Sequence, residues 1–141
     1  MAAVAAVVAA GAAAAVVVAA TGGGKPSAFV SPSGNIQCAY VATREAVACR
    51  TLAEHHVALV RSDGTVERPR TLPADVAARL EGASSLLAYG RHRTFANALR
   101  CDSSETGMRC ASWRFFPSRG FEICRAGVDV LATNRTRVCH V

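Results

Sequence analysis

Six cysteines, at positions 38, 49, 101, 110, 124 and 139, constrain this 141-residue chain more than any other feature. An even count behind an apolar leader reads as disulfides, yet six cysteines allow fifteen pairings. Local register narrows the choice. Residues 35–42 and 46–52 are β-prone runs joined by Thr43-Arg44-Glu45. A hairpin centred between Thr43 and Arg44 sets Cys38 opposite Cys49 and Tyr40 opposite Val47, with Ile36 beside the bridge. Directly opposed residues of an antiparallel pair have Cα atoms about 4.5–5.5 Å apart, a span that a disulfide accepts. Residues 98–102 and 108–113 flank the polar loop Ser103–Gly107 in the same way, with Gly107 where a positive φ is easiest. Cys101 then opposes Cys110, and Asp102 opposes Arg109 as an opposite-charge pair. Elimination leaves Cys124 to Cys139. Each bridge closes a short loop and contributes on the order of 2–3 kcal/mol through the unfolded state. No C-x₂-C spacing occurs and His140 is a lone neighbour of Cys139, so neither a metal site nor a cofactor is expected.

Residues 2–20 carry no charged or polar side chain, and Val18-Ala19-Ala20 offers the small residues that a signal peptidase needs. The expectation is a signal peptide over 1–20, a flexible linker over 21–28, and a single secreted β-rich domain over 29–141. One feature departs from the pattern: Met1 is followed directly by Ala rather than by positive charge. The alternative is retention by an uncleaved apolar helix, since the run is near the length that spans a bilayer. Alanine contributes little to such a transfer, which favours cleavage and no stable membrane anchor. No cysteine follows the run closely, which argues against a lipid-modified N-terminus.

The net charge is +6, and all but one (Lys25) of the sixteen basic side chains are arginine. Arginine's planar fork suits carboxylates and phosphates, so an anionic polymer or an acidic protein surface is a plausible partner class. The arginines are scattered rather than clustered, which also fits GC-rich codon usage and gives no specific nucleic-acid signal.

Beyond the first hairpin, residues 57–60 read as a strand ending in the turn Arg61-Ser62-Asp63-Gly64, with residues 65–68 returning. Residues 71–82 form the one good helix candidate: Thr71 as cap, Pro73 in the first turn, Gly82 at the end, and Leu72, Val76 and Leu80 on one face. Residues 85–89 read as a strand, followed by a basic turn Arg91-His92-Arg93. Residues 95–101, 108–114, 120–125, 128–131 and 135–140 complete a series of short strands. The fold class is therefore mainly β: a small antiparallel sandwich or barrel with one short helix, stapled by disulfides.

Several segments carry a resemblance. Phe29-x-Ser-Pro-Ser-Gly-Asn-Ile-x-Cys38 is followed by x-Val-x-Cys49, Leu87-x-Tyr89-Gly90, Cys101-x-Ser103-x-x-x-Gly107-x-x-Cys110 and Gly120-Phe121. Together they resemble a family of small secreted bacterial proteins of unknown function, common in actinobacteria. The resemblance covers roughly residues 29–125 and implies export and two hairpin bridges, with no activity to carry over. Met108 stands where the family has Val, and Glu122-Ile123-Cys124-Arg125 replaces its x-Leu-Ser-Arg. Cys124 and Cys139 thus look like an addition, which supports their pairing with each other.

Ser31–Asn35 has the chemistry of a turn, and its functional reading is a ligand-contacting loop. Ser33 lacks the G-x-S-x-G setting of a nucleophile. His55 and His56, on a strand, would face opposite ways and share no metal; Glu54 beside them offers an acid/base group in principle. His92 lies between two arginines, which disfavour its cationic form. Glu45, Asp63 and Glu105 fall in turns. Trp113, Phe115 and Phe116, interleaved with Arg114 and Arg119, read as a buried strand with two apolar faces, or alternatively as an exposed strip that stacks on sugars or bases. Asn134-Arg-Thr136 matches a glycosylation acceptor that carries little weight in a bacterial protein. The expected surface combines Arg91, His92 and Arg93 with Trp113, Arg114 and Arg119. The functional expectation is a non-catalytic extracellular module that binds an anionic envelope component or a protein. The alternatives are a secreted inhibitor of a wall hydrolase or protease, presenting Ser31–Asn35 or Ser103–Gly107, and a small hydrolase assembled only in three dimensions.

Overall fold

The computed structural model describes residues 27–131 and 137–140. The leader, most of the linker and the acceptor motif at Asn134 lie outside the described residues. Among the described residues eleven strands form two sheets. In chain order they are β1 (Ala28–Val30), β2 (Ile36–Val41), β3 (Ala46–Thr51), β4 (Val57–Arg61) and β5 (Val66–Glu67), then the helix α1 (Ala74–Glu81). The chain continues through β6 (Ser85–Leu86), β7 (His92–Phe95), β8 (Leu99–Ser104), β9 (Gly107–Ser112), β10 (Arg119–Cys124) and β11 (Gly127–Val130). The first sheet runs β5-β4-β3-β2-β1-β6, antiparallel except for β1 with β6, and the second runs β11-β10-β9-β8-β7. The two face each other as a sandwich, not a closed barrel.

Side-chain alternation explains the layers. On β2 and β3, Ile36, Cys38, Val47 and Cys49 point into the space between the sheets. There they meet Leu99, Cys101, Met108, Cys110, Phe121 and Ile123 of the second sheet. The other face of the first sheet presents Ala39, Val41, Ala46, Ala48 and Leu59, and α1 covers it with Val76 and Leu80. Small alanines at that face leave room for a helix that is itself only eight residues long. The helix starts after Pro73, with no side-chain cap, so Thr71 does not serve as the cap that its position suggested. Instead Arg44 ties down the first turn through a two-point contact with Asp75, at 2.7 and 2.9 Å.

All three expected bridges are present, Cys38–Cys49, Cys101–Cys110 and Cys124–Cys139, with Cα separations of 4.0, 4.1 and 5.8 Å. The first hairpin has the expected register, with Tyr40 opposite Val47. In the second, Cys101 opposes Cys110, but the ladder continues through Ser104 and Gly107. The turn is thus Glu105-Thr106 rather than a five-residue loop. Gly107, at φ +154°, has no room for a Cβ, which would collide with the Ile123 carbonyl of β10. Asp102 opposes Arg109 in register, yet its ion pair is with Arg100 two positions earlier on the same strand face, at 2.8 Å.

Other expectations are corrected. Residues 85–89 are strand only at Ser85–Leu86, and the basic turn is really a Tyr89-Gly90 turn that leads into β7, which includes His92 and Arg93. The run 95–101 is broken by a helical turn at Ala96–Ala98. Residues 137–140 form no strand. They fold back as a turn whose Val138 and Cys139 amides donate to the buried Asp129 carboxylate, at 2.8 and 2.9 Å. β1 begins at Ala28, inside the segment read as linker.

Candidate functional site

At the end of the sandwich where β9 begins and β10 ends, turns from both sheets converge. One is Ser31–Asn35, between β1 and β2. Its conformation follows from its residues: the Gly34 amide donates to the Ser31 carbonyl at 2.8 Å, with Gly34 at φ +80°, and the Ser31 hydroxyl accepts the Ile36 amide at 3.1 Å. Asn35 then locks the turn to the β3–β4 connection. Its Nδ2 donates to Glu54 at 2.9 Å and its Oδ1 accepts the Ala53 amide at 2.9 Å. The second is the Glu105-Thr106 turn, and the third is Arg125-Ala126 between β10 and β11. Tyr89 comes from a turn fastened by two backbone bonds to β8, Gly90 to Ser103 and Ser103 to Arg91.

Together these segments line a cleft of about 360 Å³ whose walls carry Ser31, Ser33, Asn35, Tyr89, Thr106 and Arg125, with the Glu105 carboxylate also on its lining. The Cys124–Cys139 bridge forms part of its floor. Tyr89 is 45% exposed, so its ring is open to a ligand. Among the described residues no carboxylate lies within ion-pair reach of the Arg125 side chain, while the Arg125 carbonyl accepts a hydrogen bond from His56 Nε2 at 3.0 Å. His55 points away as an exposed residue at φ +63°, so the two histidines do not act together.

Behind the cleft wall lies a buried carboxylate. Glu122 is 3% exposed, and it is met by His140 Nε2 at 2.7 Å, by the Thr106 hydroxyl at 3.3 Å and by Arg137 at 3.9 Å. The order is hydroxyl, carboxylate, imidazole. Nucleophilic activation needs the imidazole against the hydroxyl and the carboxylate behind it, so this chain of contacts closes the C-terminal turn onto the sheet rather than activating Thr106. Ser33, likewise, is bonded to Ser31 at 3.2 Å and to the Asn35 amide, with no base beside it.

The surface expected from sequence is dispersed. His92 faces outward on the edge strand, while Arg93 turns inward with its guanidinium 5.2 Å from the Phe29 ring centre. Trp113 to Ser118 is not a strand but the β9–β10 connection, so the buried-strand reading is wrong. A strand there would have to bury both faces at the sheet's end, where no third layer exists. Trp113 is 53% exposed, with Arg100 stacked on its ring at 4.6 Å, and Phe116 is 102% exposed. Arg119 stacks on Phe115 at 4.5 Å, and Arg114 is exposed. Arg91, bonded to Ser103, lies at the other end of β8 from the connection that carries Trp113 and Arg114. Sequence reasoning singled out the Ser31–Asn35 turn but missed Tyr89 and Arg125 as its companions. Nothing local in the chain signals that three turns meet. Comparison with protein-family models, with curated proteins and with solved structures finds no match to this chain.

Proposed function

We propose that this chain is an exported, non-catalytic binding module that holds a segment of an anionic envelope polymer in the cleft. The observation that carries the reading is the combination of an Arg125 without an ion-pair partner among the described residues, an open Tyr89 ring and a row of hydroxyl and amide groups on turns tied to disulfide-bridged strands. An anionic group on the polymer pairs with Arg125, neutral hydroxyl-bearing parts bond to Ser33 and Asn35, and an apolar face rests on Tyr89. Bridged hairpins keep those groups in place before the ligand arrives, which lowers the ordering cost of binding. The inhibitor reading is less well supported, because Ser31–Asn35 is tied down as a cleft wall rather than projecting.

Export belongs to this proposal. It is supported by the leader pattern and by three bridges, which persist in oxidising compartments. No helix among the described residues is long and apolar enough to cross a membrane. Membership of the family of small secreted proteins is part of it too. The Phe29–Cys38 motif spans β1, the turn and β2, and the motifs at Tyr89 and Ser103–Gly107 reach the same cleft.

Calorimetric titration with soluble anionic wall-polymer fragments tests the reading. Binding should weaken with salt, and Tyr89→Ala and Arg125→Ala should each reduce affinity about tenfold. Absent binding, or salt-insensitive binding indifferent to both substitutions, overturns it.

A further inference from the structure

The β9–β10 connection lies at the opposite end of the sandwich from the cleft. Ser112 pairs with Arg119 at one end of these strands, while Met108 pairs with Ile123 at the other. The span between those two pairs is about 14 Å, from four residue steps at roughly 3.4 Å each. The connection stands on a fixed foot. Phe115 packs on Gly64 of the β4–β5 turn, where a Cβ would meet its ring at 2.8 Å, and the Arg119 guanidinium stacks on the same ring at 4.5 Å. The Trp113 amide donates to the Ala98 carbonyl at 2.9 Å, and Arg100 covers one side of the indole. What this scaffold presents to solvent is Phe116, exposed over its whole surface, the free part of Trp113, and Arg114. Arg114 and Arg119 flank the exposed ring in sequence, and the carboxylates nearest to this end are Asp63, next to Gly64, and Asp102, which is paired with the Arg100 beneath the indole.

We infer that this connection is a membrane-surface contact: Phe116 and Trp113 enter the interfacial zone of an anionic lipid bilayer, and Arg114 meets the headgroups. The inference is independent of the cleft. A ring that projects free on both faces is covered by a medium that closes around it, whereas a flat polymer covers only one face. Trp and Phe favour the boundary between headgroups and acyl chains, where an apolar ring is buried and the rest of the loop stays wet. Arg114, exposed and in no ion pair among the described residues, adds attraction to a negatively charged leaflet. The contact is reversible and shallow, because one loop supplies it.

Trp113 is the single tryptophan of the chain, so its fluorescence reports this site directly. Vesicles of phosphatidylcholine alone should leave its emission unchanged, while vesicles containing phosphatidylglycerol should shift it to the blue and cosediment with the protein. Phe116→Ser should reduce partitioning about tenfold or more, and Arg114→Glu about fivefold or more. Both positions are exposed, so circular dichroism should match the parent chain. Tyr89→Ala should partition normally, which separates this test from that of the cleft. Absent partitioning at low salt, partitioning indifferent to Phe116→Ser, or an equal blue shift with a soluble anionic polymer would each overturn the inference.

Discussion

Phe116 and Phe121 stand a few positions apart and occupy opposite extremes, one wholly in solvent and one wholly in the core. Their substitutions should therefore diverge. Phe121→Ala opens a cavity between the sheets and should cost about 3–5 kcal/mol in urea unfolding, whereas Phe116→Ala should stay within about 0.5 kcal/mol. Ser103 offers a contrary case. Its hydroxyl is buried and unpartnered among the described residues, so Ser103→Ala should leave stability unchanged or raise it. A clear loss would show that the hydroxyl has a partner in solution. At the surface, the hydrogen bonds from Arg44 hold the Asp75 carboxyl below its ordinary range, with burial opposing weakly. A depressed pKa gives stability that is present above the unfolded value, about 3.9, and that is lost as pH falls through the folded one. The stability difference between the parent chain and Asp75→Asn should accordingly shrink in acid. Both side chains are solvated, so the difference is small even at neutral pH.

Among the elements, the hairpins were the legible part. Cys38 against Cys49 and Cys101 against Cys110 follow from short-range register, in which apolar alternation and turn chemistry point the same way. The β8–β9 turn was misjudged because Ser103 and Ser104 look like loop residues, yet they pair with Met108 and Gly107 once Gly107 lets β10 approach. The Trp113–Ser118 segment misled in the other direction: aromatic content suggests a strand, but the ladder ends at Ser112. Sheet order and the meeting of turns depend on contacts between distant residues, which periodicity does not encode. One such contact links the first two bridges, for Cys49 and Cys110 sulfurs lie 3.5 Å apart across the core. Replacing either hairpin bridge by two alanines should cost about 2–3 kcal/mol. Removing both should deviate from the sum by about 0.5 kcal/mol or more, whereas pairing either deletion with loss of Cys124–Cys139 should be closer to additive. A double-mutant cycle in urea checks the contrast.

At the scale of the whole molecule, the sandwich has two unlike ends. One gathers turns of serine, threonine, asparagine, tyrosine, Glu105 and Arg125 around a cleft; the other carries an aromatic connection with exposed Phe116, Trp113 and Arg114. Taken together, the two proposals would set the aromatic end on an anionic leaflet and turn the cleft away from it. The core between the sheets, clamped by two touching bridges, holds the ends in fixed relation. Helix α1 covers the outer face of the first sheet and stands apart from both. The most direct test of the central proposal is an amide chemical-shift titration of the chain with soluble anionic wall-polymer fragments. The account expects perturbations that saturate and cluster at Ser31–Asn35, Tyr89–Arg91, Ser104–Gly107 and Arg125. Shifts confined to the Trp113–Ser118 end, or none at saturating polymer, would contradict it.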